Sequence, residues 1–281
     1  MSFSRPLAVS LSIGAVGALV ILIRRSLLQT PKISPKPEVY KKDYTKDVVY
    51  LYQFKRLANC PNLSPFCMKV EVFLRAYKIP YEICDEELLW SRNGTLPFVE
   101  LNGEHIADSD LIAMRLKEHF KMPNMSEAQE AHAVAVTRLA DNHLMNILIR
   151  YAMMEDDFFR IFINIMGIPN FLIPILTPFI KADFIRKAYK RSTLAIGDFE
   201  PAEMEKILYK DLQTIQDTLR DHKFLFGESV TVADASVFAH LGSVIYPFRS
   251  HINEVLEKDF PRILEYCERI REEIYPNDFT L

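Results

Sequence analysis

The fold is decided by residues 96–109, which read L-P-F-V-E-L-N-G-E-H-I-A-D-S. Alternating apolar positions flank Asn102-Gly103, a dipeptide that fits a two-residue type I′ turn, so two antiparallel strands in a hairpin are predicted. Asp108 or Ser109 then stands where a side chain caps the first turn of a helix, and a helix is predicted to follow.

Upstream of the hairpin, the chain predicts a strand, a helix and a second strand. The β-branched and aromatic run at residues 48–52 is typical of a buried strand. Pro65 suits the first turn of a helix whose apolar spacing continues to about residue 78, and residues 81–84 follow as another strand. A β-α-β unit followed by a β-β-α unit is the arrangement of a thioredoxin-like domain, which we assign to residues 47–121.

Strand signals disappear after this unit, and residues 125–279 are predicted to form an all-helical domain. Ser126 opens a long helix with a capping-box pattern, and Thr231 with Asp234 forms a second such pattern. Residues 158–180 are apolar but contain three prolines, which disfavours a membrane span because freed backbone groups lack partners in lipid. We interpret this segment as a buried irregular stretch or as a surface that lies against a bilayer.

The N-terminal segment predicts a membrane anchor. Residues 7–23 form an uncharged, mostly apolar run that spans about 25 Å as a helix, close to a hydrocarbon core of about 30 Å. A signal peptide is the alternative, but no small-residue cleavage site follows, so residues 1–29 are predicted to be an uncleaved single-pass transmembrane helix. Basic residues concentrate after the run, which places the bulk of the chain in the cytoplasm, on an endomembrane or the mitochondrial outer membrane. The proline-rich residues 30–46 are predicted to be a linker.

Composition narrows the classes of function. The 281 residues allow about two domains, and a 49% hydrophobic content excludes wholesale disorder. The net charge of -3 argues against a nucleic-acid binder, since no basic excess exists to neutralise phosphates. Four cysteines do not make a disulfide scaffold in a chain of this length; they suggest a reducing compartment or thiols with a chemical role. Their irregular spacing predicts no metal site.

Ser64 and Cys67 stand at the start of the first predicted helix. The N-terminus of a helix stabilises a thiolate through its unpaired amides and partial positive charge, and a serine hydroxyl there can donate a further hydrogen bond. Cys67, one turn deeper, is the second candidate as a reactive thiol. In the purely structural alternative, Ser64 only caps the helix and Cys67 is a small buried apolar residue.

Two further segments point to a peptide ligand. A cis proline at Leu96-Pro97 would turn an edge of backbone outward, where it can pair with a short peptide. The hydroxyl and amide donors at Asp108-Ser109 could receive a carboxylate at the start of a helix. With the thiol site at Ser64, these segments predict that the ligand is glutathione.

With these motifs, the chain resembles glutathione transferase-like proteins, and within them the failed-axon-connections and cadmium-responsive group, which is related to the metaxins. The short length and N-terminal anchor are similar to the nematode cadmium-responsive branch. The resemblance implies the glutathione transferase fold, with a ligand cleft between the thioredoxin-like domain and the helical bundle, and it suggests a homodimer. It covers residues 48–279 and is carried by residues 63–71, 96–103, 106–109 and 227–234.

The resemblance also implies roles for single residues. Leu96 and Pro97 would bind the cysteinyl backbone of glutathione, and Asp108 and Ser109 would hold its γ-glutamyl end. Ser64 stands where related thioltransferases carry the first cysteine of Cys-Pro-Phe-Cys, so the implied mechanism activates glutathione itself.

Two functions remain open from the sequence. The first is a membrane-anchored glutathione transferase-like enzyme that conjugates glutathione to electrophiles in a response to cadmium or xenobiotic stress. The second is a non-catalytic, metaxin-like component for interaction or trafficking that uses the same fold.

Overall fold

The computed structural model describes residues 39–168 and 170–280, and the first half of this part is built on a four-stranded sheet. The strands are β1 (Val49–Tyr52), β2 (Tyr81–Cys84), β3 (Phe98–Leu101) and β4 (Glu104–Ala107). Their order is β2-β1-β3-β4, with β1 parallel to β2 and the other pairs antiparallel. Helix α1 (Pro65–Ala76) connects β1 to β2, and α2 (Ser109–His119) follows β4. The predicted thioredoxin-like arrangement is confirmed.

The hairpin has the predicted turn. Asn102 and Gly103 have φ values of 51° and 78°, the positive values that a type I′ turn requires at both central positions. Residues of one strand alternate between two cores because successive side chains point to opposite faces. Val49 and Leu51 face the main core with α1 and α2, whereas Tyr50 packs in a smaller cluster on the other face.

The second half is helical, as predicted. Its elements are α3 (Glu127–Arg138), a π-helical segment (Leu139–Leu144), α4 (Met145–Ala152), α5 (Asp156–Ile165), a 3-10 turn (Asn170–Leu172), α6 (Ile173–Ile196), α7 (Pro201–Leu219), α8 (Val232–Ile245), α9 (His251–Asp259) and α10 (Pro261–Ile274). Helix α8 packs extensively against α1 and is buried over almost its whole length. The capping box that begins α8, formed by Thr231 and Asp234, is confirmed.

The segment at residues 158–180 differs from its predicted irregular form. It consists of most of α5, the short turn and the beginning of α6, so the prediction of an irregular stretch is wrong. Pro174 lies in the first turn of α6, where a missing amide costs no helical hydrogen bond. Pro178 lies one turn further on, and the Thr177 hydroxyl donates to the Ile173 carbonyl at 2.6 Å, which satisfies one of the acceptors there.

The end of the predicted linker is bound to the sheet. The carboxylate of Glu100, which is 1% exposed, accepts hydrogen bonds from the amides of Tyr40 and Lys41 at 2.7 and 2.8 Å. The Tyr52 hydroxyl donates to the same carboxylate at 3.1 Å. The chain therefore meets the sheet several residues before β1 begins.

The predicted anchor at residues 7–23 lies outside the described residues. Within residues 39–168 and 170–280, no helix combines the length and the apolar content needed to cross a membrane.

Candidate functional site

The register of the sheet brings three chain segments to the same end of the sheet. Tyr52 pairs with Phe98, and Phe98 pairs with Ala107. These residues are the last of β1, the first of β3 and the last of β4. The loop before α1, the segment before β3 and the start of α2 therefore lie at this end of the sheet. Those segments carry the predicted residues Ser64, Leu96, Pro97, Asp108 and Ser109.

Ser64 is the N-cap of α1. Its half-buried side chain accepts a long hydrogen bond of 3.4 Å from the amide of Cys67, which leaves its hydroxyl proton free to be donated elsewhere. Asn62, fully buried, fixes the loop by accepting from the Ser64 amide at 3.0 Å and donating to the Phe54 carbonyl at 2.8 Å. The serine is therefore held at the positive end of α1 in a defined position.

Cys67 lies behind Ser64 and is fully buried. Burial raises the pKa of Cys67 to about 12, and the Ser64 hydroxyl and the Phe54 backbone, which would hydrogen-bond the ionised sulfur, offset this only in part. The thiol is therefore protonated at neutral pH, and a protonated thiol is a poor nucleophile. The four cysteines are all unpaired, and burial is the largest cause of a raised pKa at each of them.

The Leu96-Pro97 peptide is cis, as the sequence analysis expected. Among the described residues, neither the amide nor the carbonyl of Leu96 pairs with another backbone group. A short stretch of main chain is thus available beside β3 for hydrogen bonds with an extended peptide.

Asp108 and Ser109 form the start of α2. Asp108 has a φ of 83°, a value that costs a non-glycine residue about 1–3 kcal/mol and that is found preferentially at ligand sites. Its carboxylate accepts from the amides of Asp110 and Leu111 at 3.0 and 3.3 Å, so it caps the helix. Ser109 is 7% exposed, and its hydroxyl and amide donate to no other group in the described part of the chain. The donors of Ser109 are therefore available to a carboxylate.

A buried cluster of charged side chains, which the sequence analysis did not predict, lies next to the start of α2. The Lys69 ammonium on α1 is 1% exposed and lies 2.6 Å from a carboxylate oxygen of Asp110 and 2.6 Å from one of Asp141. Asp110 directly follows Ser109 on α2, whereas Asp141 belongs to the π-helical segment. Lys69 thus connects α1, the start of α2 and the helical half.

The cluster extends on both sides. Arg138 of α3 pairs with the second oxygen of Asp110, and the Ser236 hydroxyl of α8 donates to Asp141 at 2.9 Å. A sequence signal for it existed, because Lys69 and Glu71 interrupt the otherwise apolar run at residues 66–74 of α1. Charged residues are almost never fully buried without partners, so both positions indicated buried ion pairs.

A small apolar cavity of about 40 Å³ adjoins the start of α1. It is lined by Leu63, Pro65, Met145, Leu148, Ile149, Phe158, His240, Ser243 and Val244. The Nδ1 of His240 donates to the Ser236 carbonyl at 2.8 Å, so Nε2 carries the lone pair, and Nε2 has no hydrogen-bond partner in the described part. Burial lowers the pKa of His240, which keeps the ring neutral. The cavity therefore presents mainly apolar walls, with the neutral His240 ring and the Ser243 hydroxyl as its polar side chains.

The described residues contain no group of three or more His, Cys, Asp or Glu side chains arranged to hold a metal ion.

Comparisons with known proteins agree with this fold. Residues 65–158 match the family model of the glutathione S-transferase N-terminal domain, and residues 208–270 match that of the glutathione S-transferase C-terminal domain.

Two curated relatives are similar over most of the chain. Failed axon connections of Drosophila melanogaster is 31% identical over 261 residues, which cover 86% of this chain and 62% of the relative, so the chain spans less than two thirds of that protein. An isoprene-epoxide–glutathione S-transferase of a Rhodococcus species is 25% identical over 235 residues, which cover 80% of this chain and 99% of the relative.

Solved structures share the fold. A glutathione S-transferase from Rhodospirillum rubrum superposes with a TM-score of 0.52 at 19% identity, over 81% of this chain and 90% of that one. A β-etherase from a Sphingobium species superposes with a TM-score of 0.53 at 15% identity, over 79% of this chain and 94% of that one. The family models, the curated relatives and the sheet and helix arrangement all agree, and the chain is a glutathione S-transferase-like protein.

Proposed function

We propose that the chain binds glutathione at the end of the sheet where Ser64, Leu96-Pro97 and Asp108-Ser109 meet. We further propose that it conjugates glutathione to small electrophiles. The observation that carries the proposal is the convergence of three sets of unpaired donors at one end of the sheet. These are the Ser64 hydroxyl at the positive end of α1, the main chain at Leu96 and the donors of Ser109.

In this proposal, glutathione lies extended beside β3, with its γ-glutamyl carboxylate on Ser109 and its sulfur beside Ser64. The Ser64 hydroxyl donates to the sulfur, and together with the α1 dipole it favours the thiolate. The thiol proton passes to water as the thiolate forms. The thiolate attacks a carbon of an epoxide, a C–S bond forms as the C–O bond breaks, and the alkoxide takes a proton back from water. Cys67 has no covalent part because its thiol is protonated.

The nature of the electrophile is proposed from the adjoining cavity. Its mainly apolar walls, with His240 and Ser243 as the polar side chains, favour a small apolar molecule. One curated relative is named for the conjugation of isoprene epoxide, and a small epoxide is therefore the first substrate to test.

The proposal includes the cellular setting that the sequence suggests. Residues 7–23 would anchor the chain in an endomembrane or the mitochondrial outer membrane, with the bulk of the chain in the cytoplasm. The resemblance adds a homodimer and a role in the response to cadmium or xenobiotic stress. A non-catalytic, metaxin-like function is the alternative, and it would not require glutathione.

Calorimetric titration of the full chain with glutathione tests binding, and a conjugation assay with a small epoxide tests catalysis. Ser64→Ala should lower the conjugation rate roughly 100-fold while changing affinity little, because the lost hydrogen bond acts mainly on the developing thiolate. Ser109→Ala should raise the dissociation constant about tenfold, since a hydrogen bond to a carboxylate contributes about 1.5–3 kcal/mol.

Ser126→Ala is the matched control, because this serine caps α3 outside the proposed site. Absence of binding at millimolar glutathione by a folded protein would leave only the non-catalytic function. Loss of activity in Cys67→Ala with full activity in Ser64→Ala would contradict the serine mechanism.

A further inference from the structure

Helix α6 leaves a continuous apolar surface uncovered. Ile175 and Phe179 of α6 are 63% and 72% exposed and lie four residues apart, on one side of the helix. Phe171, in the 3-10 turn just before α6, is 76% exposed. Pro174 and Pro178 are exposed between them. We call these five residues the α6 apolar stripe. Of the 24 residues of α6, Ser192 is the one whose side chain is buried, which is unusual for a helix so rich in apolar residues.

The opposite side of α6 is already occupied. Phe184 packs against Phe158, Phe159 and Phe162 of α5, with ring centroids 4.9 to 5.6 Å apart. The aromatic cluster holds α5 and α6 together as a hairpin, so the stripe is not the face that joins them.

Positive charge follows the stripe along the same helix. Helix α6 carries five basic residues and one acidic residue, in a chain whose net charge is -3. Lys190 and Arg191 are exposed and make no ion pair within residues 39–168 and 170–280. Together with Lys187 and Leu194 they line a surface hollow at the far end of the helix.

This hairpin is largely separate from the part of the chain that defines the family. The two matched domain models end at residue 158 and begin again at residue 208, and α6 lies wholly between them. A role for α6 is therefore independent of the proposed glutathione site.

We propose that the α5–α6 hairpin docks on an anionic lipid surface, with the apolar stripe in the membrane interface and the basic end of α6 at the lipid phosphates. Phe179 and Lys187 are eight residues apart, or about 12 Å along the helix, so an inclined helix can place the stripe in the membrane interface while its basic end lies at the lipid phosphates. An interfacial helix uses the same combination of buried apolar area and attraction between basic side chains and anionic lipids. This contact is distinct from the predicted anchor at residues 7–23.

Tryptophan fluorescence of the full chain in vesicles tests the proposal. Trp90 is the single tryptophan, so Trp90→Phe combined with Phe179→Trp reports on the stripe alone. In vesicles of phosphatidylcholine and phosphatidylserine that contain brominated lipids, we expect a blue shift and a loss of emission. Trp90→Phe with Met114→Trp is the matched control, since Met114 of α2 is 64% exposed and away from α6, and its emission should not fall.

Charge reversal tests the role of the basic end. Lys190→Glu with Arg191→Glu should remove the quenching at position 179, whereas Lys206→Glu with Lys210→Glu on α7 should leave it in place. Equal quenching in vesicles of phosphatidylcholine alone would refute the requirement for anionic lipid. A blue-shifted emission that brominated lipids do not quench would show that protein covers the stripe, either a second copy or another part of this chain, and would overturn the proposal.

Discussion

At the scale of single residues, Lys69 forms an ionic link between the two halves of the described chain. Its ammonium lies between the carboxylates of Asp110 and Asp141, both at 2.6 Å, and it is 1% exposed. We expect Lys69→Met to lower the free energy of unfolding by about 3–5 kcal/mol, because two partly or fully buried carboxylates lose their shared partner. Chemical denaturation of purified protein measures the change.

Lys117→Met provides the comparison for this prediction. Lys117 is on α2 and pairs with Glu130 at 3.2 Å, but both side chains are partly exposed, so the expected loss is less than about 1 kcal/mol. Similar losses in the two variants would mean that burial does not distinguish the two pairs.

At the scale of elements, the start of α8 is the most heavily bonded helix end described above. The buried carboxylate of Asp234 accepts from the Thr231 amide and hydroxyl at 2.8 and 2.6 Å, from the Leu225 amide at 2.8 Å and from the Tyr266 hydroxyl at 2.9 Å. Asp234→Ala leaves these donors without an acceptor, and we expect a loss of about 3 kcal/mol or more in the free energy of unfolding.

Ser126→Ala on α3 is the control for a helix cap that is exposed to water. Its hydroxyl accepts from the Gln129 amide at 3.3 Å and donates to the Gln129 side-chain oxygen at 2.9 Å, both in exposed positions, which predicts a loss of about 1 kcal/mol. Thermal unfolding of both variants tests the comparison. If the midpoint temperature of Asp234→Ala equals or exceeds that of Ser126→Ala, the buried hydrogen bonds at the start of α8 stabilise the protein less than we expect.

Local elements were predictable from the sequence, and long-range polar contacts were not. The type I′ hairpin and the capping box at the start of α8 depend on a few neighbouring residues whose backbone preferences are strong. The contact of Lys69 with Asp141 joins residues 72 positions apart, which no local pattern encodes. The prolines near residue 174 were interpreted as helix breakers, although a proline in the first turn favours a helix start.

At the scale of the whole molecule, acid should weaken the connection between the sheet and the helical half. Burial raises the pKa of Asp110, but the charges of Lys69 and Arg138 outweigh it and hold the pKa below its usual value of 3.8. A carboxyl with a lowered pKa stabilises the folded state above pH 4, and this stabilisation is lost as the pH falls through the folded pKa. We expect Asp110→Asn to be less stable than the parent at neutral pH and the difference to shrink below pH 4.

Urea denaturation at a series of pH values measures this difference. Burial raises the pKa of Asp234 and Asp211, so these groups gain folded-state stability on acidification and oppose the effect of Asp110 in both proteins. The comparison of parent and variant removes their contribution. A gap in stability that stays constant from pH 7 to acid would show that Asp110 does not titrate with folding.

The burial of Cys60 and Cys67 determines how these thiols respond to thiol-reactive chemicals. Cys60 and Cys67 lie fully inside the core, and burial raises the pKa of each to about 12, so neither presents an anion to an alkylating agent or a soft metal ion. On exposure to such reagents, these two core thiols should stay unmodified while diffusible thiols are consumed, and the half-buried Cys84 is the most accessible of the four cysteines.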